Sequence, residues 1–195
     1  MSKGEATRQY IIEKAAPIFN TKGIAATAMS DIMEATKLSK GTLYVHFENK
    51  DLLASCAVDY NMEQLSNKLR IELSQFKTAR EKLFGYLDFF VETTKPIVIG
   101  GCPMLNFGTE ADDTNELIKL KVNNLINKSQ KLLSDIIKQG ITNGEFKADW
   151  NANEFATIMF AMLEGGILIC RVAGDNSKMK VINDNLKKMI TEQML

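Results

Sequence analysis

The chain has 195 residues, 45% of them hydrophobic and 25% charged, and its 24 Lys plus Arg balance 24 Asp plus Glu. Zero net charge excludes a generally basic nucleic-acid binder, so any DNA surface has to be a local patch. Three scattered cysteines (Cys56, Cys102 and Cys170) argue against a secreted disulfide scaffold, and a single histidine without a Cys-x-x-Cys pair argues against a structural metal.

Few prolines and many Leu, Ile, Met, Lys and Glu favour an all-α fold. Ser2 and Glu5 have the spacing of a capping box. A helix should follow, burying Ile11, Ala15, Ile18 and Phe19, passing through Pro17 and closing on Lys22-Gly23. Ser30 is the expected cap of a short second helix that holds Asp31, Ile32, Glu34 and Ala35. It stops near Thr36-Lys37, and Ser39 caps the next helix.

That next stretch, Leu38 to Phe47, carries two chemistries. Leu43 and Phe47 are four apart and share a buried face. Lys40, Thr42, Tyr44 and His46 point elsewhere, a poor core and a good surface for phosphates and base edges. Two short helices joined by a tight turn form a helix-turn-helix, the second being the recognition helix.

Asn49 should cap a long helix to about residue 75, and another should run from Ala79 to Thr94. Residues 95–103, with two prolines and Gly100-Gly101, break the pattern as a loop with a special backbone. A short helix over Met104 to Glu110 and a long one over Asn115 to Ile141 should follow. Asn143-Gly144 ends the latter, and Asn151 or Asn153 caps the next. Phe155, Met159, Met162, Gly166 and Ile169 form one apolar seam there. Met179, Ile182, Leu186 and Met189 form a heptad-like seam in the last helix.

The N-terminal residues resemble the TetR family of bacterial transcriptional regulators. The resemblance rests on Phe19 with Lys22-Gly23, Thr27, Asp31-Ile32, Ala35, Ser39-Lys40-Gly41-Thr42-Leu43-Tyr44, His46-Phe47 and Asn49-Lys50-Asp51-Leu52-Leu53. Further on, Gly144-Glu145-Phe146 with Asp149 is similar to a family connector. Gly101-Cys102 with Asn106 and Glu110, and Glu164-Gly165 with Arg171, are similar to one subset of its members. Lys37 stands where the family usually has glycine, and Met33 where it usually has a small residue.

The resemblance implies an all-α protein with a helix-turn-helix domain (residues 1–48) and a helical sensing and dimerisation domain (residues 49–195). It implies contact with duplex DNA at a palindromic operator through Thr27, Ser39, Lys40, Gly41, Thr42, Tyr44, His46 and Lys50. It also implies a homodimer, whose interface is expected at Phe155, Met159, Met162, Gly166, Leu186 and Met189. Phe84, Leu87, Phe90, Met104, Phe107 and Trp150 are the expected lining of an effector pocket. The expected activity is repression relieved by a small-molecule inducer, with no enzyme activity and no cofactor.

Two alternatives stay open. Cys102, in its Gly-rich loop at a helix start, is a candidate thiol sensor of oxidants or electrophiles; the bland reading is a small buried hydrophobe. A helical module that grips a protein is the other. No apolar signal run opens the chain, and no apolar stretch is expected to reach the about 20 residues that cross a bilayer. The expected setting is the cytoplasm, away from membranes.

Overall fold

The computed structural model describes residues 2–92 and 94–195. Among them are nine α-helices and no strand, apart from an isolated bridge between Phe146 and Met194. The chain forms two compact units: Met1–Leu65 with Ile97–Asn123, and Ser66–Pro96 with Asn124–Leu195. Two helices contribute residues to both, α4 (Lys50–Leu73) and α7 (Glu116–Thr142).

The first unit is built on α1 (Lys3–Lys22), which packs against α2 (Met29–Thr36), α3 (Lys40–His46) and α6 (Pro103–Ala111). The capping box that opens α1 is formed: Glu5 N–H donates to Ser2 Oγ at 3.2 Å, and Ser2 N–H donates to Glu5 Oε2 at 2.7 Å. Ile11, Ala15 and Phe19 are fully buried, while Ile18 is only half-buried. The helix runs through Pro17 and ends at Gly23, whose φ of +85° suits a residue without a Cβ and whose N–H donates to Phe19 O.

Helix α2 starts earlier than expected. Ala28, not Ser30, is its cap residue, and the cap is supplied from inside the helix: Asp31 accepts from Ala28 N–H at 2.9 Å. Asp31 also pairs with Lys22 at 2.8 Å, so one carboxylate joins the end of α1 to the start of α2. At the far end Lys37 adopts φ +58°, ψ +24°. It is a non-glycine residue in the left-handed region, which the tight turn into α3 requires.

The Gly-rich loop before α6 has a tertiary reason. Gly100 and Gly101 have φ of +96° and +103°, and a Cβ on Gly100 would sit 2.7 Å from Asn20 O. Asn20 is buried and donates to Ile99 O at 2.8 Å and Gly101 O at 3.0 Å. Asn106 of α6 donates to Asn20 O and to Gly100 O, each at 2.9 Å.

In the second unit, α5 (Ala79–Phe89) packs on α9 (Ser177–Thr191), and α9 packs on α8 (Ala152–Ala173). Helix α5 is shorter than expected. Val91, Glu92 and Thr94 are not helical, and Asn176 donates to the side chains of Glu92 and Thr94; Thr93 lies outside the described residues. Gly166 is tight against α9, where a Cβ would meet Met179 and Ile182 within 3 Å. Phe146 presses equally closely on Gly140.

The expected dimer seam needs correction. Phe155, Met159, Gly166 and Leu186 are buried within the protomer, and Met162 and Met189 are half-buried. The four buried residues fill the packing of α8 and α9 inside the protomer. The apolar residues that α8 leaves exposed include Ile158, Ala161, Gly165, Leu168, Ile169 and Val172. Helix α8 is therefore apolar on two faces, and it is the one described helix long and apolar enough to cross a membrane by composition.

Candidate nucleic-acid interface

Seven residues make up α3, and their burial divides them cleanly. Leu43 and the following Phe47 are buried against the first unit. Arg8 of α1 lies over the Phe47 ring at 4.7 Å, a cation–π contact that fixes the end of the helix. Tyr10 donates to Thr36 O, which ties α1 to the turn before α3. At the helix start, Ser39 Oγ accepts from Thr42 N–H at 3.2 Å and shares a hydrogen bond with Thr42 Oγ1 at 2.9 Å. The free face carries Lys40, Gly41, Tyr44 and Val45 exposed, with Thr42 and His46 half-buried at its margins. Lys40 Nζ reaches to 5.9 Å from the Tyr44 ring. No acidic residue lies on α3.

Six of the eight predicted DNA contacts are therefore gathered on α3 and its cap: Ser39, Lys40, Gly41, Thr42, Tyr44 and His46. The remaining two face the protein. Thr27 is 1% exposed, and its hydroxyl donates to Gly23 O at 2.6 Å. Lys50 Nζ donates to Ile24 O at 2.8 Å, Thr27 O at 3.1 Å and Ala25 O at 3.4 Å. An ammonium has three protons, and here all three have carbonyl acceptors. The expected DNA contacts of the Thr27 and Lys50 side chains are corrected to a scaffold role.

That scaffold has a second half invisible in the local sequence. Glu110 of α6 accepts from Ile24 N–H at 2.8 Å and Ala25 N–H at 2.7 Å. The turn between α1 and α2 is thus held by a cation on its carbonyls and an anion on its N–H groups. The only sequence signal was the spacing Cys102–Asn106–Glu110, four apart on one helix face.

The expected effector lining is divided. Met104 and Phe107 are buried in the first unit. Phe84, Leu87, Phe90 and Trp150 belong to the second. Trp150 sits between Phe146, which it meets edge-on, and the tilted ring of Phe155, with centroids 4.9 Å away on each side, and Phe84 lies under Arg80 and Lys187. Within the second unit, a separate groove of about 350 Å³ runs between Leu69 and Leu73 of α4 and Leu125 and Leu132 of α7, rimmed by Arg70 and Lys128. Cys102 is buried at the N-cap of α6. Cys56 is half-buried, with Arg8 donating to its sulfur at 3.1 Å. Among the described residues no three His, Cys, Asp or Glu side chains converge as metal ligands.

Comparison with known proteins agrees with this geometry. Residues 11–55 match the model of bacterial regulatory proteins of the tetR family, and residues 79–186 match the tetracyclin repressor-like C-terminal domain. A TetR-family regulator structure from Cytophaga hutchinsonii is 37% identical, with a TM-score of 0.95 over 100% of this chain and 98% of that one. One from Chloroflexus aurantiacus is 34% identical, with the same TM-score and coverage. Among curated relatives, the HTH-type transcriptional regulator QacR of Staphylococcus aureus is 27% identical over 90% of this chain and 92% of its own. With both halves matched and an all-α fold shared end to end, the chain belongs to the TetR family of bacterial transcriptional regulators, as a DNA-binding regulator of transcription and not an enzyme.

Proposed function

We propose that the protein is a cytoplasmic homodimeric repressor that binds a palindromic operator and leaves it when a small-molecule inducer binds. The observation that carries this is the exposed face of α3, where Lys40, Tyr44 and the margin residues Thr42 and His46 surround a helix anchored by Leu43 and Phe47. Ser39, Lys40, Gly41, Thr42, Tyr44 and His46 are the DNA contacts. Residues 1–48 read the operator, and residues 49–195 sense and dimerise. The exposed apolar stripe of α8 supports pairing with a second copy, because Ile158, Ala161, Gly165, Leu168 and Val172 recur at spacings of three and four. A two-fold dimer would set its two recognition helices one helical turn of DNA apart, or a multiple. The apolar groove of α4 and α7 is a suitable inducer site. An inducer acts by binding the released state better than the operator-bound one.

A second reading is favoured by one observation. Cys102 shares its helix face with Asn106 and Glu110, and both of these hold the end of α1 and the turn before α2. Alkylation of Cys102 would enlarge a buried side chain at the root of that helix. The test is binding of the reduced protein to DNA upstream of its own gene, before and after a thiol electrophile, alongside Cys102→Ala. Electrophile-sensitive binding that Cys102→Ala makes resistant selects the thiol switch. Binding unaffected by the electrophile selects the small-molecule reading. Sequence-independent binding, or none to a randomised duplex pool, sinks both.

A further inference from the structure

One of the exposed residues of α3 is purely apolar. Val45 is 81% exposed, against 43% for Tyr44. At about 100° of rotation per residue, Val45 lies two positions from both Leu43 and Phe47, which places it opposite the buried seam. Gly41, one turn earlier on the same side, is also exposed, and a Cβ there would meet nothing nearer than Ser39 Oγ at 3.9 Å. The ridge of α3 is therefore a bare Gly41–Val45 lane. Lys40 and Tyr44 flank it on one side, Thr42 and His46 on the other.

Nothing inside the protomer accounts for a valine at this tip. It packs on no core, and a β-branched residue is a weaker helix former than most polar alternatives. The best partner for an apolar tip in the major groove is the thymine 5-methyl group, since the other base edges there present donors, acceptors or only the small cytosine C5–H. Seated on any other base edge, the isopropyl group would strip water from a polar atom and give it no partner.

We propose that Val45 is a specificity-determining residue of this protein, its isopropyl group packing on one thymine methyl in each operator half-site. This rests on the operator-binding reading above and adds a base preference to it. The flanking polar side chains then hydrogen-bond neighbouring bases and phosphates, while Gly41 lets the helix axis come close to the groove floor.

The experiment recovers duplexes bound by the full-length protein from a randomised pool. Each thymine of the enriched sequence is then replaced by deoxyuridine, symmetrically in both half-sites, which removes only the methyl group. At one thymine position the swap should weaken wild-type binding by roughly fourfold per half-site, the worth of one buried methyl. Val45→Ala should bind the thymine duplex more weakly and be indifferent to deoxyuridine at that position. Val45→Thr keeps the shape but adds a hydroxyl, and should also weaken binding to the thymine duplex. Both variants should keep wild-type helix content, because the side chain is outside the core. Equal sensitivity of wild type and Val45→Ala to every deoxyuridine overturns the proposal, as does an enriched sequence without any methyl-sensitive thymine. A pool that yields no enriched sequence overturns the operator reading itself, and this proposal with it.

Discussion

Lys37 shows what a single residue can disclose. It stands where the family usually has glycine, and its φ of +58° puts it in the left-handed region. For an L-residue this conformation costs on the order of 1 kcal/mol. Lys37→Gly should therefore stabilise the fold by up to about 1 kcal/mol, seen as a higher urea midpoint with an unchanged slope. Lys50 teaches the opposite lesson. Its place beside Asn49 invites a phosphate contact, yet three backbone carbonyls surround its ammonium. Lys50→Met leaves those carbonyls unpaired and should cost about 1–3 kcal/mol of stability in the same denaturation measurement. A pure phosphate contact would leave stability unchanged and lower only DNA affinity.

At the scale of elements, the helix starts depend on acids in their first turns. Asp31 is held below its ordinary value of 3.8 by the Lys22 side chain and by the Ala28 N–H. Glu81 is held below its ordinary value by the Thr78 and Lys77 N–H groups at the start of α5. A depressed carboxylate stabilises the fold above its unfolded pKa, and that contribution fades as pH falls through the folded value. Stability should decline below about pH 4, and Asp31→Asn should make the decline shallower when urea midpoints at pH 3 and pH 7 are compared. Glu110 is the tertiary counterpart. Glu110→Ala frees the Ile24 and Ala25 N–H groups and should weaken operator binding at least several-fold, while the helix content by circular dichroism stays near wild type. An unchanged operator affinity would show that the turn before α2 keeps its shape without the strap.

For the whole molecule, α8 is the informative helix because both of its faces are apolar. Gly166 is closed in by Met179 and Ile182, whereas a Cβ on Gly165 meets nothing within 4 Å. Gly165→Lys should leave the protomer fold intact and convert a dimer to a monomer in sedimentation, with loss of tight operator binding. Gly166→Leu should instead destabilise the second unit, since the side chain has no room beside α9. Identical effects of the two substitutions would contradict the two-face description.

The capping box of α1, the split of α3 into a Leu43–Phe47 face and a polar face, and the family motif were legible along the chain. These depend on neighbours within a few positions, and local spacing carries them. Only the tertiary structure decided which apolar seam of α8 is used inside the protomer, because periodicity marks a buried face without naming what covers it. It also decided the duties of Lys50, Asn20 and Glu110, whose partners lie up to 86 residues away along the chain. Val45 was legible only in part: its place off the Leu43–Phe47 face is in the sequence, but its exposure depends on α3 being seated by α1 and α2. Partners brought together by chain folding lie beyond the reach of local spacing, which is why these contacts belong to the fold.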